Sequence, residues 1–334
     1  MWVFTYGFSL GDLFLHASQQ KESPEKKRLA LRALREFEKA AIKAKEKNKP
    51  IQYAKLSWKC AICYLTIAEV EDSIYNLKKG LEKIDEASKI FHSEKISETK
   101  LKIQFYKAWI ECLIGDAVGD DSRVRTTLGL QTATLQQLDL IQKPSKHIDL
   151  IMKHSIAMSY FFSKSNDTEW GLKTIDLIKK WVHYPEILRE SAYYAILNEI
   201  IALCLIQLSG IENQLSNLKD ALIYLDNILN VLNEKNIPII LHTHLRKAHI
   251  QLMLANYENR ESNIDAAIIS FDKALSKSIA MNMIENTQAI QRDIIRAKRF
   301  RMSGAQNPND EYETKKRIKS YDKSTVSKQI STIK

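Results

Sequence analysis

Ala221-Leu-Ile-Tyr-Leu-Asp-Asn-Ile228 and Ala267-Ile-Ile-Ser-Phe-Asp-Lys-Ala274 share one frame, small-aliphatic-x-x-apolar-Asp-x-apolar. The same frame stands at Gly80-Leu-Glu-Lys-Ile-Asp-Glu-Ala87 and Gly171-Leu-Lys-Thr-Ile-Asp-Leu-Ile178, and Ala33-Leu-Arg-Glu-Phe-Glu-Lys-Ala40 fits it with Glu in place of Asp. With Thr127 included, the small positions 33, 80, 127, 171, 221 and 267 follow one another at gaps of 47, 47, 44, 50 and 46 residues. A self-similar period of this size marks units that cannot bury an apolar face alone and must stack on their neighbours.

Before each frame lies a second amphipathic stretch with its own small residue, at Gly11, Ala61, Ala108, Ala157, Ala202 and Ala248. Three residues beyond each stands a large or long side chain: Phe14, Tyr64, Glu111, Tyr160, Leu205 and Gln251. A small residue one helical turn from a bulky one suits two helices that cross closely. Each repeat is therefore read as two helices, here helix A and then helix B. Asn76, Asp167, Asn217 and Asn263 lie four residues before the helix-B small residue and are expected to cap that helix; Arg123 breaks the pattern in the third repeat.

Composition points the same way. Only 9 Gly and 6 Pro occur in 334 residues, so the punctuation of an all-β or α/β chain is missing. Ile284 to Arg301 reads as a last helix, with Ala289 and Ile290 facing inward, that caps the stack. The expected organisation is a helical array over residues 1–301, with its cap at 284–301, followed by a polar, basic tail over 302–334 that is disordered in isolation.

The net charge of +10 is concentrated at the two ends. Residues 292 to 334 hold 12 Lys/Arg against 5 Asp/Glu and residues 21 to 49 hold 11 against 5, whereas residues 50 to 291 hold 27 against 29. A uniformly nucleic-acid-binding array carries its positive charge as a stripe along the repeats, which this one does not. Four cysteines with no regular spacing, Cys60, Cys63, Cys112 and Cys204, point to a reducing compartment, cytoplasmic or nuclear. The apolar start has no basic n-region, and Asp12 interrupts it, so neither a signal peptide nor a membrane partner is expected.

The paired helices resemble the tetratricopeptide repeat (TPR), through Leu10-Gly11-Asp-Leu-Phe14 with Ala33, Phe37 and Ala40, through Cys60-Ala61-Ile62-Cys63-Tyr64, and through Ala267, Phe271 and Ala274. The entry Asn217-Leu218-Lys-Asp-Ala221 after an expanded loop is similar to arrays found beside caspase-like CHAT proteases. The resemblance implies an all-α, right-handed TPR-like α-solenoid of about six helix pairs with a period near 47 residues. HEAT or armadillo repeats share that period, but their recurrent Pro and Asp/Arg pair are not seen here.

Function is expected to be non-catalytic. No phosphate loop, H-E-x-x-H, G-x-S-x-G or paired Cys cluster occurs, and no cofactor or metal is implied. Cys60 and Cys63 read as helix core, and His242 and His244 point to different faces of one helix. In TPR arrays the ligand-facing positions of helix A lie three before, one after and four after the small residue. Carried over, these offsets give a concave groove that includes Trp58, Ile62, Phe105, Trp109, His154, Met158 and His249, apolar and aromatic, suited to a partner peptide or helix. The same residues could instead be buried by tight superhelical curvature.

Lys55 and Lys102, at equivalent positions, could clamp a partner's carboxylate or stand solvated. Lys315, Lys316, Arg317 and Lys319 could contact nucleic-acid phosphates or simply solubilise the tail. The readings left open are a protein-interaction scaffold, a nucleic-acid-associated protein using the tail and the first repeat, and a regulatory subunit of a separately encoded protease.

Overall fold

A computed structural model describes residues 23–71, 74–92, 95, 97–141, 146–184, 187–188, 191–232 and 237–303. The helix-A stretch around Gly11 and Phe14 and the tail with Lys315 to Lys319 lie outside the described residues. Twelve helices and no strand occur among those described: α1 Ser23–Glu46, α2 Pro50–Glu71, α3 Ile74–Phe91, α4 Glu98–Val118, α5 Asp121–Ile141, α6 Ile148–Ser165, α7 Thr168–Val182, α8 Ser191–Ser209, α9 Gln214–Val231, α10 Ile237–Leu254, α11 Arg260–Ala280 and α12 Ile284–Ser303. Each predicted helix A and helix B in this range is one of them, and α12 covers the helix predicted at 284–301. The chain is an all-α helical repeat protein.

Contacts divide the chain into two compact units, one ending at His154 and the other beginning at Ser155. In the first, α1 packs on α2, α2 on α3, α3 on α4 and α4 on α5. In the second, α7 packs on α8, α8 on α9, α9 on α10, α10 on α11 and α11 on α12. The helix-B small residues Ala33, Gly80, Thr127, Gly171, Ala221 and Ala267 are all buried, as are Ala61, Ala108, Ala202 and Ala248 of helix A. A Cβ at Gly80 would lie 3.4 Å from the Ala61 carbonyl oxygen and 3.4 Å from the Tyr64 Cβ, so the small positions of the two helices of one repeat meet at their crossing. Thr127 fills its place by donating its hydroxyl back to the Arg123 and Val124 carbonyls, 2.9 Å away in each case, which hides the polar atom inside its own helix.

The helix entrances differ from the expected caps. Asp167 behaves as predicted, accepting from the amides of Glu169 and Trp170. Asn217 and Asn263 instead lie within the first turn of α9 and α11, and each donates its side-chain amide to the carbonyl five residues back, Glu212 and Glu258, at 2.8 Å. The entry residues themselves, Asn213 and Asn259, adopt left-handed φ of 47° and 44°, a conformation asparagine tolerates better than most residues. The recurring signal is Glu-Asn-x-x-Ser-Asn, at 212–217 and again at 258–263. Asn76 bonds the Glu71 carboxylate, and in the third repeat Asp120 accepts from the Arg123 amide, so the cap there is earlier than the pattern placed it.

The Asp of the repeated frame also acquires a partner. Asp85 of α3 pairs with Lys107 of α4 at 2.7 Å, and Asp226 of α9 pairs with Lys247 of α10. Both lysines immediately precede a helix-A small residue, Ala108 or Ala248, so the frame's acid marks the junction with the next repeat.

Gly171 sits more tightly than Gly80, since a Cβ there would fall 2.7 Å from the buried Phe162 ring. Gly171→Ala is expected to lower the free energy of urea unfolding by about 1–3 kcal/mol through overpacking. Gly80→Ala, at ordinary contact distance, is expected to be neutral or stabilising by up to about 1 kcal/mol, because alanine restricts the unfolded chain and favours helix. Paired urea titrations check both.

Candidate functional site

The helix-A face of the first unit is built by α2 and α4. An apolar cluster of Ala54, Ala61, Leu65, Ile103, Ile110 and Ile114 lies beneath it, and Trp58, Tyr106 and Trp109 pack on that cluster while remaining partly exposed. The Trp58 and Tyr106 ring centroids are 6.1 Å apart at 50°, and Phe105 meets Tyr106 edge-on at 6.0 Å. Neither Trp58 Nε1 nor Trp109 Nε1 has a hydrogen-bond acceptor among the described residues, although both atoms are buried. An unmade bond of this kind costs about 1–3 kcal/mol. The patch therefore presents apolar rings backed by two unused donors.

The other residues assigned to the groove lie deeper. Ile62 is partly buried against the α1–α2 cluster, while Phe105, Met158 and His249 are core residues, at 0%, 3% and 3% exposure. His154 is fully buried against Phe105, its Nε2 2.8 Å from Thr132 Oγ1 and its Nδ1 2.9 Å from Gln131 Oε1. Both partners come from α5, so the imidazole ties α6 to α5. Burial pushes the imidazole down to about 3, and the ring is neutral at ordinary pH. Where the carried-over offsets described a groove, this unit presents a smaller, partly exposed patch around the two tryptophans and Tyr106.

The charged candidates are distributed differently. Lys55 is exposed, whereas Lys102 is engaged with Glu98 of its own helix at 2.7 Å. In the basic stretch of α1, Lys26 bridges to Glu69 at 2.9 Å and Lys27 to Glu71, both on α2, while Arg28 and Lys39 pair within α1. Much of the positive charge there is already matched by carboxylates. Cys60 and Cys63 are free and buried, burial pushes the Cys60 thiol up to about 12, and no group of metal-ligating side chains occurs among the described residues.

In the second unit the helix-A positions bury charge. Glu199 of α8 and Arg246 of α10 form an ion pair at 3% and 2% exposure. His249 of α10 stands edge-on to Phe271 at 5.2 Å and 3.7 Å from Asp293 of α12. The offsets named His249 but not Arg246. A readable signal existed, since an acid inside the apolar run of α8 requires an opposite charge, and Arg246 lies 47 residues on, close to one repeat period. That run makes α8 long and apolar enough to cross a membrane by length and composition, but most of it is buried inside the unit, as in a core helix.

No protein-family model matches the chain, and no curated protein matches it.

His154 provides a pH test of the α5–α6 packing. With its folded value near 3 and an unfolded value near 6.5, the unfolded chain binds the extra proton in between, so stability is complete above about pH 6.5 and falls as the pH drops toward 3. The urea midpoint is expected to decline over that window in the wild type and to decline less in His154→Gln. Parallel titrations of the two proteins isolate the histidine from the carboxylates.

Proposed function

We propose that this chain is a TPR-like, non-catalytic interaction scaffold that receives a peptide or helix of a partner protein on the α2–α4 face, around Trp58, Tyr106 and Trp109. The observation that carries this reading is the combination of partly exposed aromatic rings with two buried indole donors that have no acceptor among the described residues. A partner that burrows between the rings can supply backbone carbonyls to those donors while covering apolar surface, and buried aromatic anchors contribute disproportionately to binding energy. The TPR assignment is supported by the contact of Gly80 with Ala61 and Tyr64, the helix-A to helix-B crossing that the small-x-x-bulky pattern requires. The four free, buried cysteines accord with an intracellular, reducing location.

The test is affinity purification of the full chain from its native cell, with nuclease treatment, wild type beside Trp58→Ala/Trp109→Ala. The double variant is first shown to retain its helicity. A stoichiometric protein partner that is lost in the double variant is the expected outcome. Bound material that disappears with nuclease and ignores the tryptophans would overturn the reading and shift function to the basic ends.

A further inference from the structure

In the second unit, α9, α10 and α11 leave a cavity of about 560 Å³ between them. One wall is cationic. Lys273 and Lys277 project into it from α11, four residues apart and so on one face of that helix, and Lys247 enters from α10. Lys247 pairs with Asp226, whereas Lys273 and Lys277 form no ion pair with the described residues. Three lysines and one carboxylate thus line a single space, an excess of two positive charges. The apolar part of the lining comes from Leu229, Leu232 and Ile240.

His244 lines the same side, one turn before Lys247 on α10. Its Nδ1 is buried with no hydrogen-bond partner among the described residues. Ser270 is not available as a further donor, because its hydroxyl is committed to Gln251 Oε1 at 2.9 Å. Two lysines at one-turn spacing repel each other, and holding a third beside them costs more. Such an arrangement is relieved by a doubly charged anion, and lysine binds phosphate as a flexible point charge without the fixed fork geometry of arginine. The volume falls within the range of small-molecule pockets, and the apolar wall leaves room for an organic body beside the charge.

We propose that this cavity binds a phosphate-bearing small organic molecule, with the dianionic phosphate held by Lys247, Lys273 and Lys277 and the organic body against Leu229, Leu232 and Ile240. The site is independent of the aromatic patch on α2 and α4, and it stands whether or not the scaffold reading does.

His244 reports occupancy. Burial holds its imidazole down to about 4, with Lys273, Lys247 and Lys277 pushing in the same direction and Asp226 opposing them. A bound phosphate adds negative charge to the same surroundings and moves the titration upward, toward the ordinary histidine range.

The experiment titrates the full chain with adenosine 5′-monophosphate, ribose 5-phosphate and glycerol 3-phosphate, with adenosine, inorganic phosphate and citrate beside them. Calorimetry gives the affinity, and the imidazole resonances of His244 are followed against pH. At least one phosphate ester is expected to bind at least about tenfold more tightly than its unphosphorylated body and to raise the His244 titration point. In Lys273→Gln/Lys277→Gln that affinity is expected to fall at least about tenfold with no loss of thermal stability, because Lys273 is exposed and Lys277 only partly buried. No binding of any ester at about 10 mM overturns the proposal, as does binding that the double variant leaves unchanged. Citrate binding as tightly as the esters reduces the site to non-selective charge and overturns the phosphate assignment. A phosphoserine peptide that binds where the three esters do not would overturn the small-molecule assignment.

Discussion

Everything in this protein depends on helices approaching closely at buried small residues. A single amphipathic pair cannot hide its apolar stripe from water, and the gain from burial is realised only when the next helix comes near enough to cover it. Ala33, Ala221 and Ala267 allow that approach with a methyl group, Gly80 with nothing at all, and Thr127 by turning its hydroxyl back onto its own helix. Gly171 is the extreme case, where the Phe162 ring occupies the space a Cβ would take. Interiors packed to this density tolerate little change in volume at a crossing.

Polar groups then decide which of many apolar contacts is the native one. Asp85 with Lys107 and Asp226 with Lys247 lie at partly exposed junctions, where an ion pair contributes little to stability, about 0–1 kcal/mol, but disfavours a slipped register. Glu199 and Arg246 act under stricter conditions. Both are desolvated, so either one left alone would be an uncompensated charge in an apolar interior. The loops follow a similar logic, with Asn217 and Asn263 fastening equivalent turns through bonds to the Glu212 and Glu258 carbonyls.

The two candidate binding features share a physical property, an interaction that the described residues leave incomplete. In the first unit it is a pair of indole donors without acceptors among the described residues, on rings that are partly exposed. In the second it is an excess of ammonium groups over carboxylates around a cavity with an apolar wall. They call for different ligands, one offering backbone carbonyls and apolar side chains, the other offering a compact double negative charge. Trp58 and Trp109 were legible as candidates because the offset from a helix-A small residue specifies a direction around the helix. The same offset also selected Phe105, His154, Met158 and His249, which are buried, since direction around one helix does not say whether another helix lies over it.

The sequence by itself determined the helix pairs, their period, the small residues at the crossings and the last helix, because each of these is written in the spacing of apolar residues along a local segment. Only the tertiary structure decided which aromatic side chains stay partly exposed, that the acid of the repeated frame reaches a lysine of the next repeat, and that Lys247, Lys273 and Lys277 share one space with His244. Lys247 and the α11 lysines come from different helices and carry no common spacing in the chain. Their convergence depends on how far apart and at what angle neighbouring helices pack, and periodicity within a helix encodes neither.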